Sequence, residues 1–212
     1  MNKFQHALLI NDMQNDFVLP DAPDKVAGAY ATVPTLRSLL DFCRDQGFPI
    51  FHLVREYRAD GSDIEVTRLQ SFLSGSKYAV PGTKGCEIIE ELKPKEGEYR
   101  LVRNRFSAFM QTELDFMLRR LDVHHLIICG TQYPNCVRAT AFDGISYGYD
   151  VSVVTDATSA ETDEIAQANI IDMKNIGIHC ISFKDIKQKI AIIDSEIKYP
   201  GSDCNRMCRC IS

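Results

Sequence analysis

Six short, mainly apolar stretches recur along the chain, and each ends at polar or turn-forming residues. They cover residues 6–12, 49–55, 99–104, 125–131, 151–157 and 179–183. Apolar runs of this length are typical of strands that are buried on both faces of a sheet. The segments between them are long enough to hold helices. The pattern predicts an α/β fold in which helices cover both faces of a parallel sheet, and the chain length fits a single domain.

The segments between these strands show helical spacing and helix-start signals. Apolar residues recur every three or four positions over residues 114–121, and Thr112 precedes them as an expected N-cap. A second apolar stripe follows Pro34, which is expected near a helix start, and includes Cys43, which is therefore a core residue. The polar connection 56–85 is expected to hold one short helix and a rim loop.

Three residues with possible chemistry follow strands. Asp12 closes the first strand, Arg103 lies near the end of the third, and Cys136 comes just after the fourth. The carboxyl ends of parallel strands meet at one edge of a sheet, where ligands bind. We therefore expect these three residues at one candidate site.

Cys136 is expected at the first turn of a helix. The partial positive charge and free N–H groups there favour a thiolate, Asp12 could accept the thiol proton, and the amide of Cys136 could bind an oxyanion. The alternative is that Cys136 is a small buried apolar residue and Asp12 caps a loop. Spacing alone does not separate these two interpretations.

Composition narrows the classes of partner and compartment. Acidic residues outnumber basic ones by 29 to 24, so no electrostatic footprint for nucleic acid is expected. No apolar run approaches the length of a membrane helix, and neither a signal peptide nor a prenylation box is expected. Scattered single cysteines indicate a reduced, cytoplasmic protein. Three others, Cys204, Cys208 and Cys210, crowd the tail and match no zinc spacing.

Three motifs carry a resemblance to a known family. They are "ALLINDMQNDF" (7–17), "RNRFSAFMQTELDFMLRRL" (103–121) and "GTQYPNCVRATAFDGISYGYDVSVVTDATSA" (130–160). Together they resemble the isochorismatase-like cysteine hydrolases, relatives of nicotinamidase and N-carbamoylsarcosine amidase. The resemblance implies a three-layer α/β/α fold with a six-stranded parallel sheet over residues 1–190, followed by an extension, 191–212. It also implies a homo-oligomer, a dimer or a tetramer.

The resemblance implies catalytic roles for particular residues. The family's aspartate falls on Asp12 and its cysteine nucleophile on Cys136. At the position of its lysine this chain has Arg103, which keeps the positive charge but cannot release a proton and could hold Asp12 as a poorer base. A cis peptide bond is implied between Thr131 and Gln132, with the amides of Gln132 and Cys136 forming the oxyanion hole.

Four further residues are expected around the substrate: Phe17, Arg55, Tyr57 and Tyr133. Arg55, Tyr57 and Arg58 are placed at the pocket mouth, where they would suit a small anionic or carbonyl-rich substrate. Nicotinamidases in the family bind a metal through an aspartate and histidines after the second strand. This chain has no histidine there, and His52 lies within the strand. No metal and no cofactor are therefore expected.

The predicted function is a metal-independent cysteine hydrolase that cleaves a C–N bond of a small amide, ureide or carbamoyl-type substrate through a thioester. The small-molecule substrate is the expected partner, with neither nucleic acid nor membrane. A second hypothesis is a family member that binds a small molecule but turns over poorly because Arg103 replaces lysine. A third, with the least support, is a redox or metal-handling protein acting through the tail thiols.

Overall fold

The computed structural model describes residues 5–196. Its strands are β1 (Gln5–Asn11), β2 (Ile50–Arg55), β3 (Tyr99–Arg103), β4 (Val123–Gly130), β5 (Asp150–Thr158) and β6 (His179–Ile181). Its α-helices are α1 (Asn15–Val18), α2 (Ala29–Asp45), α3 (Val66–Ser74), α4 (Leu114–Arg120), α5 (Arg138–Ser146), α6 (Asp163–Asn175) and α7 (Phe183–Glu196). Short 3-10 turns cover Lys84–Cys86 and Glu90–Leu92, and a π-helical turn covers Tyr133–Val137.

All six strands are parallel and lie in the order β3-β2-β1-β4-β5-β6. β1 is therefore central, between β2 and β4. The chain moves outward from β1 through β2 to β3, and then returns to the other side of β1 with β4. A cleft opens at such a reversal, beyond the carboxyl ends of the two central strands.

Alternate residues of β1 enter two different cores. Leu8 and Ile10 pack on one face of the sheet with apolar residues of α2 and α7. Ala7 and Leu9 face the other way and pack with residues of α4, α5 and α6. Burial of each large apolar side chain contributes about 1.5–3 kcal/mol, so both faces stabilise the central strand. The predicted three-layer α/β/α arrangement, with one six-stranded parallel sheet in a single domain, is confirmed.

The predicted element ends differ from the structure by small amounts with identifiable causes. α4 begins at Leu114, and Thr112 lies just before it, where its hydroxyl accepts the Leu114 N–H at 3.2 Å. α2 begins at Ala29, so Pro34 lies inside it rather than near its start. Cys43 is fully buried, as predicted.

The end of the chain bears on the predicted division at residue 190. α7 runs from Phe183 to Glu196 and so crosses that position. Residues 197–212, including Cys204, Cys208 and Cys210, lie outside the described residues, and the predicted extension stays a prediction. No helix within residues 5–196 combines the length and apolar character that a membrane crossing needs.

Candidate active site

The three residues predicted to meet at one sheet edge do meet there. Asp12 follows β1 with a left-handed backbone (φ 46°), and its N–H donates to the Leu53 carbonyl at 2.9 Å. Arg103 is the last residue of β3, and Cys136 lies in the π-helical turn after β4. Asp12 and Cys136 line one cavity, and Arg103 reaches Asp12 from the side. Their catalytic roles stay predictions.

Arg103 forms a buried ion pair with Asp12. Its Nη2 donates to Asp12 Oδ2 at 2.6 Å, and its Nη1 donates to the Arg105 carbonyl at 2.6 Å. Both side chains are almost completely buried. Within residues 5–196, the other carboxylate oxygen, Asp12 Oδ1, has no hydrogen-bond partner. One oxygen of Asp12 is thus held by the guanidinium, and the other remains available to accept a proton.

Arg55 lies in the interior of the site and not at its mouth, so the predicted position of this residue is wrong. It is the last residue of β2 and is 1% exposed. Its Nη2 lies 3.2 Å from Cys136 Sγ, and its Nε lies 3.9 Å from Asp12 Oδ2. Because the strand is buried on both faces, a side chain at its end points inward. A second guanidinium therefore stands beside the thiol.

Three neighbours fix Arg55 in place. The Gln14 side-chain amide bonds both backbone groups of Arg55, each at 2.8 Å. The Nη1 of Arg55 donates to Glu65 Oε1 at 2.6 Å and to the hydroxyl of Tyr57. Tyr57 in turn donates to Glu65 Oε2 at 2.6 Å. This network holds the guanidinium against the thiol.

Tyr57 does not lie at the pocket mouth, so its predicted position is wrong, and a contact with substrate stays a prediction. Tyr57 is fully buried and packs edge-on against Phe72 and Tyr78, with ring centroids 6.1 and 6.0 Å away. Burial raises the pKa of its phenol. Its hydroxyl serves the Arg55 network instead, so its effect on the site is indirect.

The environment of Cys136 raises the pKa of its thiol, in contrast to the expected lowering. Burial is the main cause, and the negative charge of Asp12 adds to it. The positive charges of Arg103 and Arg55 act in the opposite direction. The first turn of a helix supplies only about half a charge, and this does not offset the cost of burying a thiolate. In this buried position Cys136 is therefore mainly a thiol, and the two arginines limit the cost of its ionisation.

The peptide segment before Cys136 is held close to β1. The Thr131–Gln132 bond is cis, as the resemblance implies. Thr131 N–H donates to the Asn11 carbonyl at 2.9 Å, and Gln132 lines the cavity. Within residues 5–196, the N–H of Gln132 has no hydrogen-bond partner. It is thus available to an oxyanion, as the predicted role requires.

Gly130 makes this close approach possible. Its backbone lies at φ 100°, and a Cβ there would be 2.3 Å from the Asn11 carbonyl oxygen. Any other residue would separate the ends of β1 and β4. Since Asp12 and Gln132 follow these two ends, the glycine sets the distance between the proposed base and the proposed oxyanion hole.

The two remaining predicted substrate contacts differ. Phe17 lines the cavity and packs edge-on against Tyr78 at 5.8 Å. Tyr133 does not line it. Its hydroxyl donates to the Thr155 carbonyl at 3.3 Å, and its ring is buried in the core with α5 and α6. The prediction that Tyr133 binds substrate is not supported by this geometry. Tyr133 directly follows Gln132, but its side chain points to the core and not to the cavity.

The family model for the isochorismatase domain matches residues 6–185. This chain belongs to that family. An isochorismatase family protein from Desulfovibrio vulgaris has a crystal structure that is 50% identical, with a TM-score of 0.86, covering 90% of this chain and all of that one. A probable inactive nicotinamidase of Arabidopsis thaliana is 39% identical over 87% of this chain and 96% of its own length. A ureidoacrylate amidohydrolase of Caulobacter segnis is 27% identical over 76% and 75%.

The residues of this isochorismatase-family member do not fit the metal centre of nicotinamidases. No three His, Cys, Asp or Glu side chains of the described segment lie close enough together to hold an ion. The end of β2 is occupied by Arg55, whose guanidinium lies beside the Cys136 thiol. His52 points away from the site and bonds Glu98 Oε2 at 2.8 Å. A cation beside the thiol is thus supplied by arginine in this chain.

Several residues of the site were not found from the sequence. Gln14 holds Arg55, Glu65 pairs with it, and Asp24 and Arg68 line the cavity. Gln14 lies in the first motif, so the motif marked its position but did not predict its contact with Arg55. The others lie on irregular connections or on α3, where no periodicity or motif marks them.

The cavity is small. Its volume is about 20 Å³, which is enough for about one water molecule, whereas pockets for small ligands commonly enclose about 300–1,000 Å³. Phe17, Val26 and Arg68 are among the residues that line it. This volume is too small for a substrate molecule, so the side chains that line the cavity must rearrange when a substrate binds.

Proposed function

We propose that this protein is a cysteine hydrolase that cleaves a C–N bond of a small amide, ureide or carbamoyl-type substrate without a metal. One observation carries the proposal. A thiol, a carboxylate with one unpaired oxygen and two guanidinium groups meet at the carboxyl edge of the central strands. These are the groups that nucleophilic acyl transfer needs: a nucleophile, a base and fixed positive charge.

The first half-reaction forms the thioester. Asp12 Oδ1 accepts the proton of Cys136, and Arg55 and Arg103 stabilise the thiolate. The sulfur attacks the substrate carbonyl, and the N–H groups of Gln132 and Cys136 stabilise the oxyanion. The C–N bond then breaks, and the protonated Asp12 gives its proton to the leaving amine. One preorganised oxyanion donor of this kind accelerates such reactions by about 10²–10³-fold.

The second half-reaction regenerates the thiol. Asp12 accepts a proton from water, the resulting hydroxide attacks the thioester carbonyl, and the same two N–H groups bind the oxyanion. The C–S bond breaks, and Cys136 regains its proton from Asp12. The products are an amine and a carboxylic or carbamic acid.

A second candidate function is a small-molecule binding protein with little turnover. The 2.6 Å pair between Arg103 and Asp12 favours it, because a permanently charged guanidinium on one oxygen weakens the carboxylate as a base. The Arabidopsis relative that bears the name of a probable inactive nicotinamidase adds to this alternative. This second function predicts tight ligand binding without release of amine.

The test is an activity screen across small amides, ureides and carbamoyl acids, with amine release as the readout. Intact-protein mass spectrometry would follow the acyl adduct, with Cys136→Ala as the inactive control and Cys129→Ala as a matched control for a buried thiol outside the cavity. The hydrolase proposal expects turnover and an adduct that depend on Cys136. Binding without turnover or adduct for every bound compound would favour the second function.

A further inference from the structure

Arg68 is a third guanidinium at the cavity. It lies in the first turn of α3, is partly buried, and lines the same cavity as Cys136 and Asp12. Its guanidinium carbon lies 5.2 Å from the centroid of the Phe106 ring. The guanidinium carbon of Arg55 lies 5.4 Å from the same centroid. Stacking on Phe106 orients Arg68 without using its hydrogen-bond donors.

Each of the other two arginines is already paired with a carboxylate. Arg103 pairs with Asp12 at 2.6 Å, and Arg55 pairs with Glu65 at 2.6 Å. Within residues 5–196, the guanidinium of Arg68 forms neither a salt bridge nor a hydrogen bond. A partly buried cation with unused donors beside a nucleophile is the feature expected of an anion anchor.

Asp24 is the opposing charge that must be weighed. It also lines the cavity, but it makes no salt bridge with Arg68. Burial raises the pKa of the Asp24 carboxyl, against the influence of Arg68 and Arg55. An arriving anion would favour the neutral form of Asp24 further, whereas the arginine keeps its charge. With Asp24 neutral and Arg68 charged, the net charge of these two side chains is positive when an anion binds.

We infer that the substrate carries a carboxylate and that Arg68 binds it, while Cys136 attacks a carbonyl in the same molecule. This inference rests on the proposed function and names its substrate class: small amides, ureides or carbamoyl compounds that bear a carboxylate within a few bonds of the scissile carbonyl. Two parallel N–H···O bonds from one guanidinium would fix the orientation of such a molecule. The anion anchor is thus Arg68 rather than Arg55.

The experiment compares substrates that differ only in this charge. The pairs are succinamate with succinamide, and N-carbamoylglycine with N-carbamoylglycinamide. The wild-type protein is expected to prefer the carboxylate member of each pair. Arg68→Gln should lower kcat/KM for the carboxylate member by about 10²-fold, mainly through KM, and change the neutral member by less than about threefold. Arg68→Lys should recover part of the loss.

Arg58→Gln is the matched control. Arg58 was predicted at the pocket mouth but does not line the cavity; it is 69% exposed and pairs with Asp60 at the surface of the described structure. The substitution removes the same charge and should leave both members unchanged. Equal losses for both members in Arg68→Gln, or no preference of the wild type for the carboxylate, would overturn the inference. Circular dichroism and a melting temperature would show that each variant is folded.

A binding arm separates this inference from the proposed function. Calorimetry on the Cys136→Ala protein would measure the affinity for succinamate and succinamide, with and without Arg68→Gln. Carboxylate binding that depends on Arg68, in a protein whose wild type hydrolyses neither compound, would support the anchor and contradict the hydrolase. Hydrolysis of neutral amides that is independent of Arg68 would support the hydrolase and contradict the anchor.

Discussion

The charges around Cys136 predict that two substitutions change the reactivity of its thiol in opposite directions. Arg55→Gln removes a positive charge that favours the thiolate, whereas Asp12→Asn removes a negative charge that disfavours it. Alkylation of Cys136 should therefore slow in the first variant and accelerate in the second. Hydrolysis should fall in both, because the second also loses the proposed base. This divergence between thiol reactivity and turnover would identify Asp12 as a base rather than a structural residue.

The magnitude follows from the geometry at Arg55. Two unit charges at the Nη2–Sγ distance of 3.2 Å would interact by about 5 kcal/mol at an effective dielectric constant of about 20. This is an upper limit, because the guanidinium charge is delocalised and Glu65 lies 2.6 Å from its other nitrogen. Loss of about 1.5–3 kcal/mol of this charge interaction would reduce the thiolate population about 10–10²-fold. A more basic thiolate is a better nucleophile, so the net rate should fall about 3–10-fold.

The assay is iodoacetamide alkylation from pH 6 to 10, with quenched samples digested and the modified peptides quantified. Because the thiol's pKa is raised above its usual value of 9.0, the rate in the wild type should still be rising at pH 9. Cys129 is fully buried and should stay unmodified throughout. Equal rates in Arg55→Gln, Asp12→Asn and the wild type would refute this reasoning and show that opening of the cavity limits alkylation.

Four further predictions concern catalysis, metal, stability and assembly. Arg103→Lys should retain turnover and Arg103→Ala should lose about 10²–10³-fold; a faster Arg103→Lys enzyme would instead show that the guanidinium weakens Asp12. Turnover should survive exhaustive EDTA treatment, and rescue by added zinc would contradict this. Burial would raise the pKa of Glu98, but hydrogen bonds from Arg44 and other groups lower it to about 2; its contribution to stability is therefore present above about pH 4.5 and is lost as the pH falls towards 2. Glu98→Gln should lower the free energy of unfolding in urea at pH 7 and have little effect at pH 2. Light scattering should give a homo-oligomer, and a strict monomer would be the contrary result.

The sequence was sufficient to predict the sheet and the meeting of Asp12, Arg103 and Cys136. Strands buried on both faces are marked by apolar runs, and the carboxyl ends of parallel strands must share an edge. Side-chain direction in the turns could not be predicted in this way. Tyr133 could point to the cavity or to the core, and the packing of α5 and α6 decides for the core.

The electrostatic balance also lay beyond the sequence. The prediction of a thiolate at Cys136 took account of the helix start but not of the depth of burial. That depth results from the packing of several segments around the residue. The contact between Arg55 and Cys136 joins residues 81 positions apart, and no motif predicts it. Arg68 depends on α3, whose position relative to the sheet follows from packing of Phe72 rather than from local pattern.

The central place of β1 has a consequence for biosynthesis. Leu9 in β1 and Cys129 in β4 are in contact although they lie 120 residues apart. At about 5–20 residues per second, a ribosome needs on the order of 10 s to add that length. For this interval β1 can pair only with β2, and the backbone N–H and C=O groups of its other edge have no strand partner among the residues already made. Unpaired strand edges recruit other chains. Nascent chains that stall before Val123 should therefore aggregate or occupy chaperones more than chains extended past β6.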